Sequence, residues 1–312
     1  RIFVAGRHEP MGDFKAAPPS QSGAPRTSPD GSGSEPVIEH ITSTANPAIK
    51  AIKALEMKKA RDRDGLYLAE GLRHVTEGIA AGRRLTTLVY RTEDGPPRPI
   101  LRAAMRACAR DGGRCLEVPE KVLSKLSHRD NPQTVLGVFE QAWAADDAWL
   151  ASTAQLWIGL ETVRDPGNLG TILRTADALG IDGVLLIGSC CDPYATECVR
   201  ASMGSIARIP PAKISQERFA ALRPTFPGQI VGTHLAGSVD FRSLSYDRPP
   251  TLLLMGNEQK GLSEAVAILC DHLVRIPMAQ RPDGGGADSL NLSVATAIAA
   301  YQILGPRLSD SD

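Results

Sequence analysis

No apolar run of about 18 residues occurs anywhere in the chain, which excludes a transmembrane helix. The stretch from Arg1 to Glu35 has no apolar segment of roughly 7–15 residues, so a secretory signal is not expected. Cysteine is sparse: six in 312 residues, none in a Cys-x-x-Cys pair. That argues against a disulfide framework and a zinc ribbon, so no metal is expected and a reducing cytoplasm is the expected compartment. No Gly-x-Gly-x-x-Gly follows the first strand of either half, which counts against a dinucleotide dehydrogenase. Net charge is also lacking, with 35 basic and 35 acidic residues. An initiator Met is missing too, and an absent upstream stretch is an expectation.

What is present is an ordinary globular composition, 42% apolar and 22% charged, at a length that suggests about two domains. The zero net charge hides an asymmetry. Residues 37–144 carry 18 basic and 13 acidic groups, and residues 145–312 the reverse, 13 and 18. The basic middle suits a polyanion-facing surface, and it equally suits a plain solvated one. Residues 1–36 hold six Pro, five Gly and five Ser, too little apolar surface to offset ordering entropy, and read as a disordered tail. Four acids against four bases there do not fit a mitochondrial presequence.

Periodicity then divides the rest. In residues 37–144 a helix is expected after Asn46-Pro47, running to Met57. Strands follow at 66–68, 86–90, 115–118 and 135–139, with helices at 72–80, 101–109 and 122–126. Residues 140–154 read as a linker. In residues 145–312, strands are expected at 156–160, 183–187, 206–209, 229–233, 251–255 and 273–276. Helices are expected between them at 169–179, 195–202, 217–223 and 262–269, with a last one at 292–304. Such alternation of apolar strands with helices implies an α/β fold with a parallel sheet covered on both faces. Ligands then bind beyond the carboxyl ends of the strands.

Three segments stand out. Glu161 to Gly180 reads ETVRDPGNLGTILRTADALG, with Asn168 suited to an N-cap, Gly180 to a helix stop, and Arg174 turned away from the apolar face. Leu252 to Leu262 runs a buried strand into a Gly-flanked turn that holds Glu258. Ile276-Pro277-Met278 leads through a Gly-rich loop to Ser289-Leu290-Asn291 and a helix rich in small residues. Taken singly, each also suits a plain βα unit or a buried C-terminal helix.

Together and in this order, the three segments resemble the SpoU/TrmH family of RNA ribose 2′-O-methyltransferases in the SPOUT class. Asn168, Gly170 and Arg174 match its first motif, Gly256-Asn257-Glu258 its second, and Ile276–Met278 with Ser289–Asn291 its third. Tyr67 to Gly71, with Val75 and Glu77, is similar to the family's ribosomal-protein-L30-like substrate-binding domain. The resemblance implies an L30-like RNA-binding domain over 37–144, after the tail, and a SPOUT methyltransferase domain over 145–312 with a C-terminal trefoil knot. It implies S-adenosylmethionine in the knot, walled by Thr233, Met255, Gly256, Asn257, Ile276, Met278 and Leu290. It implies catalytic roles for Arg174, Asn168, Glu258, Ser289 and Asn291. Glu258 would orient Arg174 or the Asn168 turn, and Ser289 and Asn291 would hold the motif loops and contact the target nucleotide's phosphate. A homodimer is implied, with residues of both subunits meeting the RNA. Ribosomal RNA is favoured, with transfer RNA, or a non-catalytic RNA binder of the same fold, as alternatives. One departure is the ten-residue spacer Ala279 to Asp288, about twice the family's usual length. It reads either as a tolerated surface insertion or as a lid over cofactor or RNA.

Other residues carry weaker signals. Cys190, Cys191 and Cys198 read as structural thiols, and His234 as a structural residue near a strand end. His74 and His128, in the basic section, are candidates for phosphate contact.

Overall fold

The structure is a computed structural model that describes residues 36–92, 95–127, 133–234, 239–247, 250–279, 287–305 and 308. The tail read over residues 1–36 lies outside them save for Pro36, as do His128 and the 280–286 part of the long spacer.

The first α/β region runs β1 (Ile38–His40), α1 (Pro47–Ala54), α2 (Lys58–Asp64), β2 (Leu66–Glu70), α3 (Leu72–Ala80), β3 (Leu85–Arg91), α4 (Pro99–Arg110), β4 (Arg114–Val118), α5 (Glu120–Leu126) and β5 (Val135–Glu140). Its five strands lie in the order β1-β4-β3-β5-β2, with β1, β4 and β3 parallel and β5 antiparallel to both β3 and β2. Side chains alternate across the sheet, as the two-residue strand period demands. Leu68, Leu116 and Leu136 join α1 and α5 in one core, while Tyr67, Cys115 and Phe139 join α3 and α4 in another.

The helix expected from Asn46 to Met57 is two helices. Asn46 caps α1 by accepting from the Ala48 N–H, and α2 ends at Gly65 in the left-handed conformation. Strand β1 had no sequence signal. It is a three-residue edge strand, largely exposed, so no alternation marks it.

The second region runs β6 (Leu156–Glu161), α6 (Pro166–Ala178), β7 (Gly183–Ile187), α7 (Thr196–Ala201), β8 (Ala212–Ile214), α8 (Gln216–Leu222), β9 (Gln229–Thr233), β10 (Val239–Asp240), β11 (Thr251–Met255), α9 (Glu264–Ala267), β12 (His272–Arg275) and α10 (Leu292–Leu304). Its seven strands are all parallel, in the order β10-β12-β9-β11-β6-β7-β8. Strands β6, β7 and β11 are buried along their whole length, which explains their unbroken apolar runs.

Two expectations need correction here. Residues 206–209 are not a strand: Ser205–Ala207 forms a short 3-10 turn, which the Ile206/Ile209 spacing suits, and the strand lies at 212–214 after Pro210-Pro211. Residues 140–154 are not a free linker. Ala144 bridges to Ala212, and Trp149 is fully buried against Phe219 and Phe226.

The two regions share an interface. Arg61 in α2 is buried and donates from Nε and Nη2 to Asp192 Oδ2, at 2.9 and 2.6 Å, and from Nη1 to the carbonyls of Leu55 and Glu56. Tyr194 packs its ring on Tyr67 and Trp143, and its hydroxyl donates to the Ala142 carbonyl.

Candidate active site

Parallel strands place all their carboxyl ends on one edge. The register sets Met255 level with Leu160, Leu254 with Gly232, and Val274 with Thr233. The chain leaving β6, β9, β11 and β12 at this edge carries all three motif segments.

The turn after β6 enters α6 with Asp165 at the N-cap, its Oδ1 accepting from the Asn168 N–H at 2.7 Å, and Pro166 in the first turn. Asn168 is therefore not the cap, as expected, but lies within the first turn. Asp followed by Pro is itself a helix-start signature, so this was readable. The Asn168 side chain is left free to bridge. Its Nδ2 lies 3.5 Å from Glu258 Oε1, and its Oδ1 accepts from Asn291 Nδ2 at 2.9 Å. Asn291 in turn caps α10, its Oδ1 accepting from the Ser293 and Val294 N–H groups. One side-chain chain, Glu258–Asn168–Asn291, thus ties the three segments across 90 and 123 residues of sequence.

Glu258 does more. Its carboxylate accepts from the N–H groups of Arg164 and Asp165, at 3.1–3.3 Å, and from Asn257 Nδ2 at 3.3 Å. The carboxylate thus bonds to the turn that carries Asn168. Asn257 pins the same turn from beside it, donating to the Thr162 carbonyl at 2.9 Å while its Oδ1 accepts from the Gln259 and Lys260 N–H groups. Thr162 has φ of 54°, a rare value for a β-branched residue, where the chain leaves β6. Thr162, Arg164 and Asp165 are contributors that motif matching missed.

Gly256 lets this turn close. A Cβ there would sit 2.0 Å from the Gly261 carbonyl carbon and 2.1 Å from the Leu262 nitrogen. Gly170 has a like role, since a Cβ there would lie 2.4 Å from the Cys198 carbonyl oxygen of α7.

The residues expected around the cofactor line the same edge. Met255 is buried, and the Thr233 hydroxyl contacts the Leu254 carbonyl and Met255 Sδ at 3.3 and 3.4 Å. Ile276 is half-buried against the core, while Met278 and Leu290 are 40% and 38% exposed. Ile276, Met278 and Leu290 offer apolar surface, and Thr233 with the Met255–Asn257 turn offers polar groups, a set whose chemistry suits an adenine ring and a methionyl chain. Ser289 is exposed.

Arg174 is not gathered into this chain. It lies six residues beyond Asn168, about 9 Å along the helix, and lines a separate cavity with Arg73 and Glu77 of α3. Beside the turn that follows β6, burial pushes the Cys191 thiol up to about 12 and the Cys190 thiol up as well, so both stay neutral. His74 is buried, and His234 donates its backbone N–H to the Val274 carbonyl. Among the described residues, no group of His, Cys, Asp or Glu is placed to hold a metal ion.

Against this geometry, residues 155–301 match the SpoU rRNA Methylase family and residues 46–137 the MRM3-like substrate binding domain. The chain is 31% identical over 287 residues to the 23S rRNA (uridine(2479)-2′-O)-methyltransferase of Streptomyces viridochromogenes, covering 88% of this chain and 94% of that protein. It is 27% identical over 268 residues to the 23S rRNA (guanosine(2553)-2′-O)-methyltransferase RlmP of Bacillus subtilis, covering 86% and 100%. It is also similar to the crystal structure of an AdoMet-bound rRNA methyltransferase from Sinorhizobium meliloti, with a TM-score of 0.80, 43% identity, and 87% of this chain and 99% of that one covered.

Proposed function

The chain belongs to the SpoU rRNA methylase family, and from that premise we propose that it transfers a methyl group from S-adenosylmethionine to a ribose 2′-hydroxyl of ribosomal RNA. The observation that carries this reading is the Glu258–Asn168–Asn291 chain at the carboxyl edge of the parallel sheet. It joins the loops that would hold the methyl donor on one side and the target nucleotide on the other.

S-adenosylmethionine supplies an electrophilic methyl on a sulfonium. Ile276, Met278 and Leu290 would hold its apolar parts, and Thr233 with the Met255–Asn257 turn would hold the polar ones. Ser289 and Asn291 would face the target nucleotide's phosphate. Arg174 would act on the ribose oxygen. As a true base its pKa would have to fall by about five units, at a cost of about 7 kcal/mol. A guanidinium that stabilises the forming alkoxide, while the proton leaves to phosphate or water, is the cheaper route.

We propose a homodimer in which residues of both subunits meet the RNA. Helix α10 supports that assembly. It is apolar on all sides, yet Val294, Ile298 and Tyr301, spaced along one face, are 47%, 39% and 60% exposed. Helix α10 packs on α6, β6 and β11, a placement that suits a C-terminal trefoil knot. We assign residues 1–36 to a tail, 37–144 to RNA binding and 145–312 to catalysis. Six free thiols suit a reducing cytoplasm.

The test is a map of ribose methylations in a strain lacking the enzyme. Loss of a discrete site in ribosomal RNA is expected. Loss only in transfer RNA would reassign the substrate, and an unchanged map would overturn the reading.

A further inference from the structure

Between the two regions lies a cavity of about 330 Å³, lined by Arg73 and Glu77 of α3, Arg174 and Asp177 of α6, and Ser205 and Arg208 of the turn that follows α7. Three guanidinium groups from three elements converge there. Arg73 and Glu77 are four apart on their helix, and Arg174 and Asp177 three apart on theirs, spacings at which local ion pairs ordinarily form. Here they do not. Glu77 pairs instead with Arg208 across the cleft. Asp177 accepts from the Ser205 hydroxyl at 2.8 Å and lies 3.9 Å from Arg208 Nε. Both carboxylates are thus committed to Arg208 and Ser205. Among the described residues the side chains of Arg73 and Arg174 have no hydrogen-bond or ion-pair partner, and both are exposed.

The wall opposite α3 is held in an uncommon backbone shape. Met203 has φ of 53° and Gly204 of 102°. A Cβ at Gly204 would lie 2.8 Å from the Glu77 side chain, so close approach to α3 and positive φ both call for glycine. Arg83 fastens the same turn by donating to the Ala207 carbonyl at 2.6 Å.

We propose that this cleft binds a phosphodiester of the substrate RNA, with Arg73 as a binding residue that meets the phosphate beside Arg174. The inference rests on the RNA-methylation reading and adds where the RNA backbone lies: across the seam of the two regions, at the entrance to Arg174. Two unpaired guanidiniums facing one cavity match the forked geometry of a phosphate. They also give the basic first region a specific point of contact rather than a diffuse field.

The experiment uses the full chain, with purified ribosomal RNA from a strain lacking the enzyme as the probe. Filter binding is measured across salt for the parent, Arg73→Ala, Arg73→Gln and, as a control on the same region, Arg106→Ala, an exposed arginine of α4. Both Arg73 variants should bind RNA about tenfold more weakly at low salt, and the log–log salt slope should fall by about one. Their affinity for S-adenosylmethionine should not change, and Arg106→Ala should match the parent. Equal binding by parent and Arg73 variants, or an equal loss in Arg106→Ala, would overturn the inference and leave methylation standing. RNA binding that depends on Arg73 without any methyl transfer would instead overturn the methylation reading.

Discussion

Two glycines five residues apart close the turn after β11 for different reasons, and replacing each with alanine should separate them. At Gly256 the obstacle is backbone: a Cβ would meet the Gly261 carbonyl carbon at 2.0 Å and its oxygen at 2.4 Å. Ordinary contacts begin at 3.4 Å, so the arms of the turn must part by more than an ångström. That breaks the paired bonds between Asn257 and Gly261, now 3.0 and 2.9 Å. At about 1 kcal/mol per bond, plus roughly 1–3 kcal/mol for overpacking, Gly256→Ala should cost about 3–5 kcal/mol. At Gly261 there is nothing within 4 Å, but φ is +69°. Only the left-handed penalty applies, about 1–2 kcal/mol. For a folding unit the size of residues 145–312 each kcal/mol lowers Tm by about 2–4 °C. Thermal melting should therefore show a loss of about 6–20 °C for Gly256→Ala and about 2–8 °C for Gly261→Ala. Titration calorimetry should show S-adenosylmethionine binding weakened far more by the first. Equal melting and equal affinity in the two variants would refute the steric argument.

Further outcomes follow from the same structure. Glu258→Gln keeps the shape but loses charge-assisted acceptance from Arg164, Asp165 and Asn168. Turnover should drop on the order of 100-fold, about 2.7 kcal/mol, with a smaller effect on Tm; unchanged turnover would show that the turn does not depend on the carboxylate. Arg61→Ala strands Asp192 in the interface and should cost about 3–5 kcal/mol by urea unfolding, whereas Arg61→Met with Asp192→Leu should recover most of it. Val294→Asp places a charge on the exposed stripe of α10 and should shift sedimentation from dimer to monomer; a parent that sediments as a monomer would refute the dimer reading.

How much of this was readable beforehand depends on what local patterns encode. The parallel sheet was legible because β6, β7 and β11 are buried on both faces and read as continuous apolar runs. The motif loops were legible because Gly256, Glu258 and Asn291 stand at fixed offsets from strand and helix ends. What did not show was partnership. The attachment of Glu258 to the N–H groups of Arg164 and Asp165, and of Asn291 to Asn168, spans some 90 to 123 residues and leaves no periodic trace. Arg174 matched its motif, but the cavity it shares with Arg73 and Glu77 of α3, some 100 residues earlier, is a long-range arrangement that motif spacing does not convey. Trp149 was hidden in a stretch that reads as a linker because its burial comes from Phe219 and Phe226, some 70 residues on.

Arg174-assisted methyl transfer to a ribose oxygen would leave a linkage that alkali cannot cleave. The direct measurement incubates the full chain with labelled S-adenosylmethionine and unmethylated ribosomal RNA, then digests with alkali, which leaves a dinucleotide intact wherever the 2′-oxygen is methylated. The parent should yield one labelled alkali-resistant dinucleotide. Arg174→Ala should yield none while calorimetry still shows S-adenosylmethionine bound. Label recovered in mononucleotides alone, or full transfer by Arg174→Ala, would contradict the account.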